Sequence, residues 1–210
     1  MTRLLHVAAS ARGAASISRR VAADLIDARS RDDPPLSVVV RDLAAEPPPH
    51  PDAVFAAASL MVEAERSDAE RRALARSEEL IAELEASDIV VVSTPMHNFA
   101  APSALKAWID YVVRPGRTFR ATPTGKAGLL ADRPILAIVA CGGRFEDGGP
   151  ARPQIDCLGP YLRCVFATVG LTDFELLRLE QLRRGPEAAA RSLAAAQGWI
   201  ETQRARLAPG

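Results

Sequence analysis

Short apolar runs and segments of helical spacing take turns along the chain. The runs are Leu4 to Ala9, Leu36 to Val40, Ile89 to Ser93, Ile135 to Ala140 and Phe174 to Leu177. Each has the length of a strand, and each is apolar on successive residues rather than on alternate ones, the pattern of strands covered on both faces. Between them, Ser18 to Ala28 places Val21, Leu25 and Ile26 on one helical face, and Leu74 to Leu84 does the same with Leu74, Leu80, Ile81 and Leu84. A last helix is expected from Pro186, a residue suited to a first helical turn, towards Leu207. Strand and helix alternating five times predict an α/β architecture: a doubly wound parallel sheet of five strands with helices on both faces.

The intervals break the rhythm in two places. AAEPPPHPD, around Pro47 to Pro51, is too proline-rich for helix or interior strand, and RPGRTFRATPTGKAGLLADRP from Arg114 to Arg133 is read as a second excursion. Both read as insertions within one domain spanning 1–210, because 210 residues with 48% hydrophobic content suffice for a single sizeable core. Lys plus Arg balances Asp plus Glu at 26 each, so the molecule has no net field to gather nucleic acid or an anionic membrane. No apolar run approaches the roughly 20 residues that span a bilayer, and LLHVAAS is too short for a signal-peptide core, which predicts a soluble cytoplasmic protein. Cys141, Cys157 and Cys164 are odd in number and lack CxxC spacing, which argues against a disulfide framework and a zinc site.

In open α/β sheets ligands sit beyond the carboxyl ends of the strands. Three loops qualify. SARGAASIS, Ser10 to Ser18, offers hydroxyls and small residues that let backbone N–H groups close on a phosphate; the same serines also suit a plain helix cap. It is neither a GxGxxG turn nor a P-loop, since the Gly125–Lys126 pair has Arg120 where that motif needs glycine. Pro95, Met96, His97, Asn98 and Phe99 follow the third run and precede a helix beginning near Pro102 or Ser103. Flat and soft side chains beside an amide would cover and edge a planar heteroaromatic ring. ACGGRFEDGGP, Ala140 to Pro150, brings paired glycines that permit close backbone approach and equally suit a turn.

PMHNFAAPSALKAWIDYVVRPGRTF resembles the corresponding block of the FMN-dependent NADH azoreductases, relatives of the NAD(P)H quinone reductases with a flavodoxin-like fold. The likeness continues through VRDLAAEPPP, LIAELEASDIVVVSTP and YLRCVFATVGLTDFELLRLE. It implies a flavodoxin-like fold, FMN bound in the chain and NADH or NADPH as electron donor. It assigns Ser10, Ser16, Ile17 and Ser18 to the FMN phosphate. Met96, His97, Asn98 and Phe99, after Pro95, would lie along the isoalloxazine, and Ala140, Cys141, Gly142 and Gly143 against its polar edge. The sequence departs from the family pattern where His97 replaces a frequent Tyr and where Ala140 and Cys141 replace a common Ser-Arg pair. The implied reaction is ping-pong hydride transfer to quinones or azo compounds, with His97 the candidate proton donor and the flavin carrying the chemistry. Cys141 is read as a small buried filler or a redox thiol.

The family resemblance further implies a homodimer with its sites at the subunit boundary. Trp108, Tyr111 and the apolar residues in Phe55 to Met61 and Phe119 to Leu130 are candidates for that surface, and each aromatic equally suits the core. Arg117, Arg120 and Lys126 are candidates for a cofactor phosphate or for solvated surface. Two other readings of the scaffold stand beside the reductase: a flavodoxin-like electron carrier, disfavoured by zero formal charge, and a flavin-free binding module.

Overall fold

The computed structural model describes residues 1–31, 35–145 and 154–208. Its elements in chain order are β1 (Thr2–Ala8), α1 (Ile17–Ser30), β2 (Leu36–Asp42), α2 (Ala53–Leu60), α3 (Asp68–Glu85), β3 (Ile89–Pro95), α4 (Ser103–Val112), β4 (Phe119–Thr122), β5 (Gly125–Gly128), β6 (Ile135–Ala140), α5 (Leu158–Val169), β7 (Phe174–Leu179) and α6 (Pro186–Arg206). The main sheet runs β2-β1-β3-β6-β7, every pairing parallel. All five apolar runs are therefore strands of one sheet.

Alternate residues of the central strands feed two cores. Leu5, Val7, Val90, Val92, Ile135 and Ala137 join the side chains of α2 to α5, including Phe55, Leu80, Trp108 and Phe166. Leu4, Ile89, Val91, Leu136 and Ile138 join α1 and α6 through Val21, Leu25 and Ile200. The period-two geometry of a strand sends neighbours to opposite faces, so an unbroken apolar run can feed both. β2 departs from the expectation of full cover: Val38, Val39 and Val40 are 38%, 49% and 57% exposed. It is an edge strand with a neighbour on one side alone.

The two excursions contain structure that periodicity does not announce. After the prolines, Asp52 caps the eight-residue α2 by accepting a hydrogen bond from the Phe55 N–H at 2.7 Å. Within Arg114 to Arg133, β4 and β5 pair antiparallel as a hairpin closed at Thr122 and Gly125. Trp108 and Tyr111 are buried in the core of a single chain, as are Phe55, Phe119 and Leu130. They therefore present no free surface for a partner. Val54, Leu60, Val62 and Leu129 are the exposed large apolar residues of these excursions, at 48%, 77%, 65% and 45%.

Candidate functional site

The chain leaves β1 towards β2 on one side and reaches β3 on the other, so connections diverge at the carboxyl ends of β1 and β3. That divergence opens a crevice. The loop after β1 makes a short 3-10 turn at Gly13–Ala15, and Ser16 then caps α1 by accepting a hydrogen bond from the Arg19 N–H at 3.4 Å. Ser16 and Ser18 share a hydroxyl–hydroxyl hydrogen bond of 3.2 Å, and the Arg12 N–H donates to the Ser10 hydroxyl at 3.4 Å. All three serines are buried. The leading N–H groups of α1 have no helical acceptor, which makes this end a receptor for anions. Arg19 braces the loop from below: its guanidinium donates to the Ser10 carbonyl at 3.0 Å and grips the Asp42 carboxylate at the end of β2. That hydrogen bond holds the Asp42 carboxyl down at about 2.

After β3 the Met96 N–H donates to the Ala140 carbonyl at 2.9 Å, tying this loop to β6. His97 and Ala100 then exchange backbone hydrogen bonds of 3.0 and 2.9 Å around a two-residue turn. Asn98 and Phe99 both take positive φ, 47° and 68°. Asparagine tolerates that conformation, whereas phenylalanine is held there against its preference, a strain that concentrates at functional sites. Phe99 is 46% exposed, so burial does not explain its placement.

The loop after β6 continues the β6–β7 pairing past the strand ends. The Cys141 N–H donates to the Leu179 carbonyl at 2.8 Å, the Leu182 N–H to the Cys141 carbonyl at 3.2 Å, and the Gln181 N–H to the Gly143 carbonyl at 2.8 Å. The N–H groups of Gly142 and Gly143 have no partner among the described residues. A Cβ at 143 would fall 1.8 Å from the Gln154 Oε1, a contact that the exposed Gln154 side chain can relieve by moving. Cys141 is buried, and burial first, then Glu180 and Asp156, pushes its thiol up to about 12. The sulfur is a neutral thiol at physiological pH and so a poor nucleophile. Residues 146–150, the rest of the predicted third loop, lie outside the described residues.

These three loops enclose a cleft of about 210 Å³. It is lined by Ser10, Ser16 and Ile17 from the first, by Pro95, Met96 and His97 from the second, and by Ala140, Cys141 and Gly142 from the third. Ser18, Asn98, Phe99 and Gly143 belong to the same loops without lining it. Arg12, Leu182 and Arg183 line it as well. Sequence reading missed Arg183 and Leu182 because they follow β7, and only the sheet order brings that strand beside β6. His6 was missed too; its signal is a lone imidazole in an apolar strand. It lies on β1 behind the serine loop, shares a 2.8 Å hydrogen bond with the Ser93 hydroxyl, and is lowered to about 4 by burial first and then by Arg19.

A larger cavity of about 620 Å³ lies between α2, α3 and the Arg114–Arg117 turn; Arg117 lines it, but none of the residues assigned to FMN does. Two of its four arginines, Arg114 and Arg117, both pair with Glu78. Lys126 stands 4.7 Å over the Phe119 ring, so two of the three cations considered for a cofactor phosphate are engaged elsewhere. Among the described residues no group of three His, Cys, Asp or Glu side chains could hold a metal ion. No helix among them is long and apolar enough to cross a membrane.

Residues 2–203 match the model of a family described as having the flavodoxin-like fold. The chain is 52% identical over 208 residues to FMN-dependent NADH:quinone oxidoreductase 2 of Cupriavidus pinatubonensis, covering 99% of this chain and 100% of that one. It is 43% identical over 194 residues to the FMN-dependent NADH:quinone oxidoreductase of Ralstonia nicotianae, covering 92% of each. Among solved structures, an azoreductase from Bacillus anthracis superposes with a TM-score of 0.86 at 25% identity, over 99% of this chain and 100% of that one.

Proposed function

This chain belongs to the FMN-dependent NADH:quinone oxidoreductases of the flavodoxin-like fold, and on that premise we propose that it reduces quinones and azo compounds with electrons from NADH or NADPH through FMN held in the three-loop cleft. The observation that carries this reading is the donor set in that cleft. Buried serine hydroxyls and a helix N-terminus stand at the β1 side, apolar Pro95 and Met96 in the middle, and at the β6 side the unpartnered N–H of Gly142, with that of Gly143 next in the loop. Phosphate, flat ring and polar ring edge need these groups in this order.

Ser10, Ser16, Ile17 and Ser18 would hold the phosphate, with Arg19 fixing the loop from beneath. Pro95 and Met96 would support the ring face and exclude water from it. The chemistry that FMN supplies when bound is acceptance of hydride from the nicotinamide and its return, as two electrons with a proton, to the acceptor. His97, exposed beside the cleft, is placed to hold a proton on an imidazole nitrogen for the reduced acceptor. Gly142 and Gly143 would donate to the ring's polar edge. Donor and acceptor would use one cleft in turn, which gives a ping-pong order.

We further propose that residues 1–210 act as one domain and that two chains assemble around their clefts, supported by the exposed Leu60, Val62 and Leu129. Three unpaired cysteines suit a reducing compartment such as the cytoplasm. Initial rates measured with NADH and a soluble benzoquinone both varied test the reaction order. Parallel double-reciprocal lines are expected; intersecting lines would require both substrates to bind together and contradict the shared slot.

A further inference from the structure

The cleft is lined by cations at two places, and the sheet order separates them. Arg12 follows β1, while Arg183 follows β7 at the opposite side of the crevice. Arg183 is held there by backbone. The hydrogen bonds from Gln181 to Gly143 and from Leu182 to Cys141 lock the β7 loop onto the β6 loop, and the Arg184 N–H closes a turn on the Gln181 carbonyl at 2.9 Å. Gln181 takes a φ of 56° to make that turn, a conformation that a non-glycine residue adopts at a cost. The aliphatic stem of Arg183 consequently lies over Gly142, its Cδ 3.4 Å from where a Cβ at that position would stand. Among the described residues no hydrogen bond or ion pair engages its guanidinium.

Ala140, Cys141 and Gly142 bring no charge to this side of the cleft. The free N–H groups of Gly142 and Gly143 do select which part of an isoalloxazine can face them. The pyrimidine edge carries acceptors, whereas the dimethylbenzene edge would leave both donors unpaired. Reduction places negative charge on that pyrimidine edge, and a cation beside it stabilises the reduced form more than the oxidised one. We propose that Arg183 is the cation of the flavin's pyrimidine edge, a positioning residue on the β7 loop that sets how readily the bound flavin is reduced. This rests on the FMN reading of the same cleft.

The test is the midpoint potential of the FMN-loaded protein at low ionic strength, for the wild type and for Arg183→Gln, Arg183→Lys and Arg191→Gln. Arg191 lies exposed on α6 and controls for the change in net charge. Arg183→Gln is expected to shift the reduced-to-oxidised equilibrium about tenfold towards the oxidised flavin, about 30 mV for a two-electron couple. Arg183→Lys should recover most of that shift, Arg191→Gln should show none, and added salt should narrow the gap. Equal potentials for wild type and Arg183→Gln, with flavin bound to both, would overturn the role of Arg183 and leave the FMN reading standing. Failure of the wild type to retain FMN would instead overturn both.

Discussion

His6 shows how a single side chain ties the sheet to the site. Its imidazole is buried between β1 and β3 and lowered from its ordinary 6.5 to about 4, so the folded chain keeps it neutral where the unfolded chain protonates it. The stability this contributes is fully present above pH 6.5, is lost as pH falls from there to about 4, and changes no further below. The full loss amounts to roughly 3 kcal/mol. Urea unfolding at pH 7.5 and 5 should show the decline in the wild type and a flatter profile in His6→Asn. An unchanged slope in that variant would place the linkage elsewhere. What could be read at this scale was chemical type: Ser10, Ser16, Met96, His97 and Gly142 stand in loops whose composition advertises ligand contact. Arg183 advertises nothing, because an arginine after β7 reaches the cleft only through pairing with a strand about 40 residues earlier.

At the level of elements, the parallel strands were legible because burial on both faces leaves unbroken apolar runs, and α3 because Leu74, Leu80, Ile81 and Leu84 share one face. The β4–β5 hairpin was not, since Gly, Ala and Thr give no alternation, and α2 was hidden by its length and the prolines before it. The hairpin is nevertheless fixed with little tolerance. It packs on the end of α5 where Gly128 meets Gly170, and a Cβ at 128 would stand 2.1 Å from the Gly170 nitrogen. Gly128→Ala should therefore cost about 3 kcal/mol or more, since backbone rather than a movable side chain must yield. Gly198, inside α6, has nothing within 4 Å of an added Cβ, and Gly198→Ala should stabilise by about 0.5–1 kcal/mol. Thermal melts of the two variants moving in the same direction would refute this packing.

For the molecule as a whole, zero net charge and a cleft open at the sheet's carboxyl edge fit an enzyme for small acceptors better than a carrier docking on basic proteins. Assembly was the least legible property. Trp108 and Tyr111 suit an interface or a core equally in the sequence, and both fill the core, while several exposed apolar positions sit on or just after α2 and in the β4–β5 excursion, which periodicity did not reveal. Native mass spectrometry should give two chains, and a fully active monomer would end the proposal of a shared site. Flavin in the three-loop cleft is what the proposed activity requires above all. The measurement that reaches it most directly is the visible absorption of protein supplied with FMN, gel-filtered and titrated anaerobically with NADH. A retained flavin band that bleaches stoichiometrically is predicted; a colourless protein, or a retained band that NADH leaves unchanged, would contradict it.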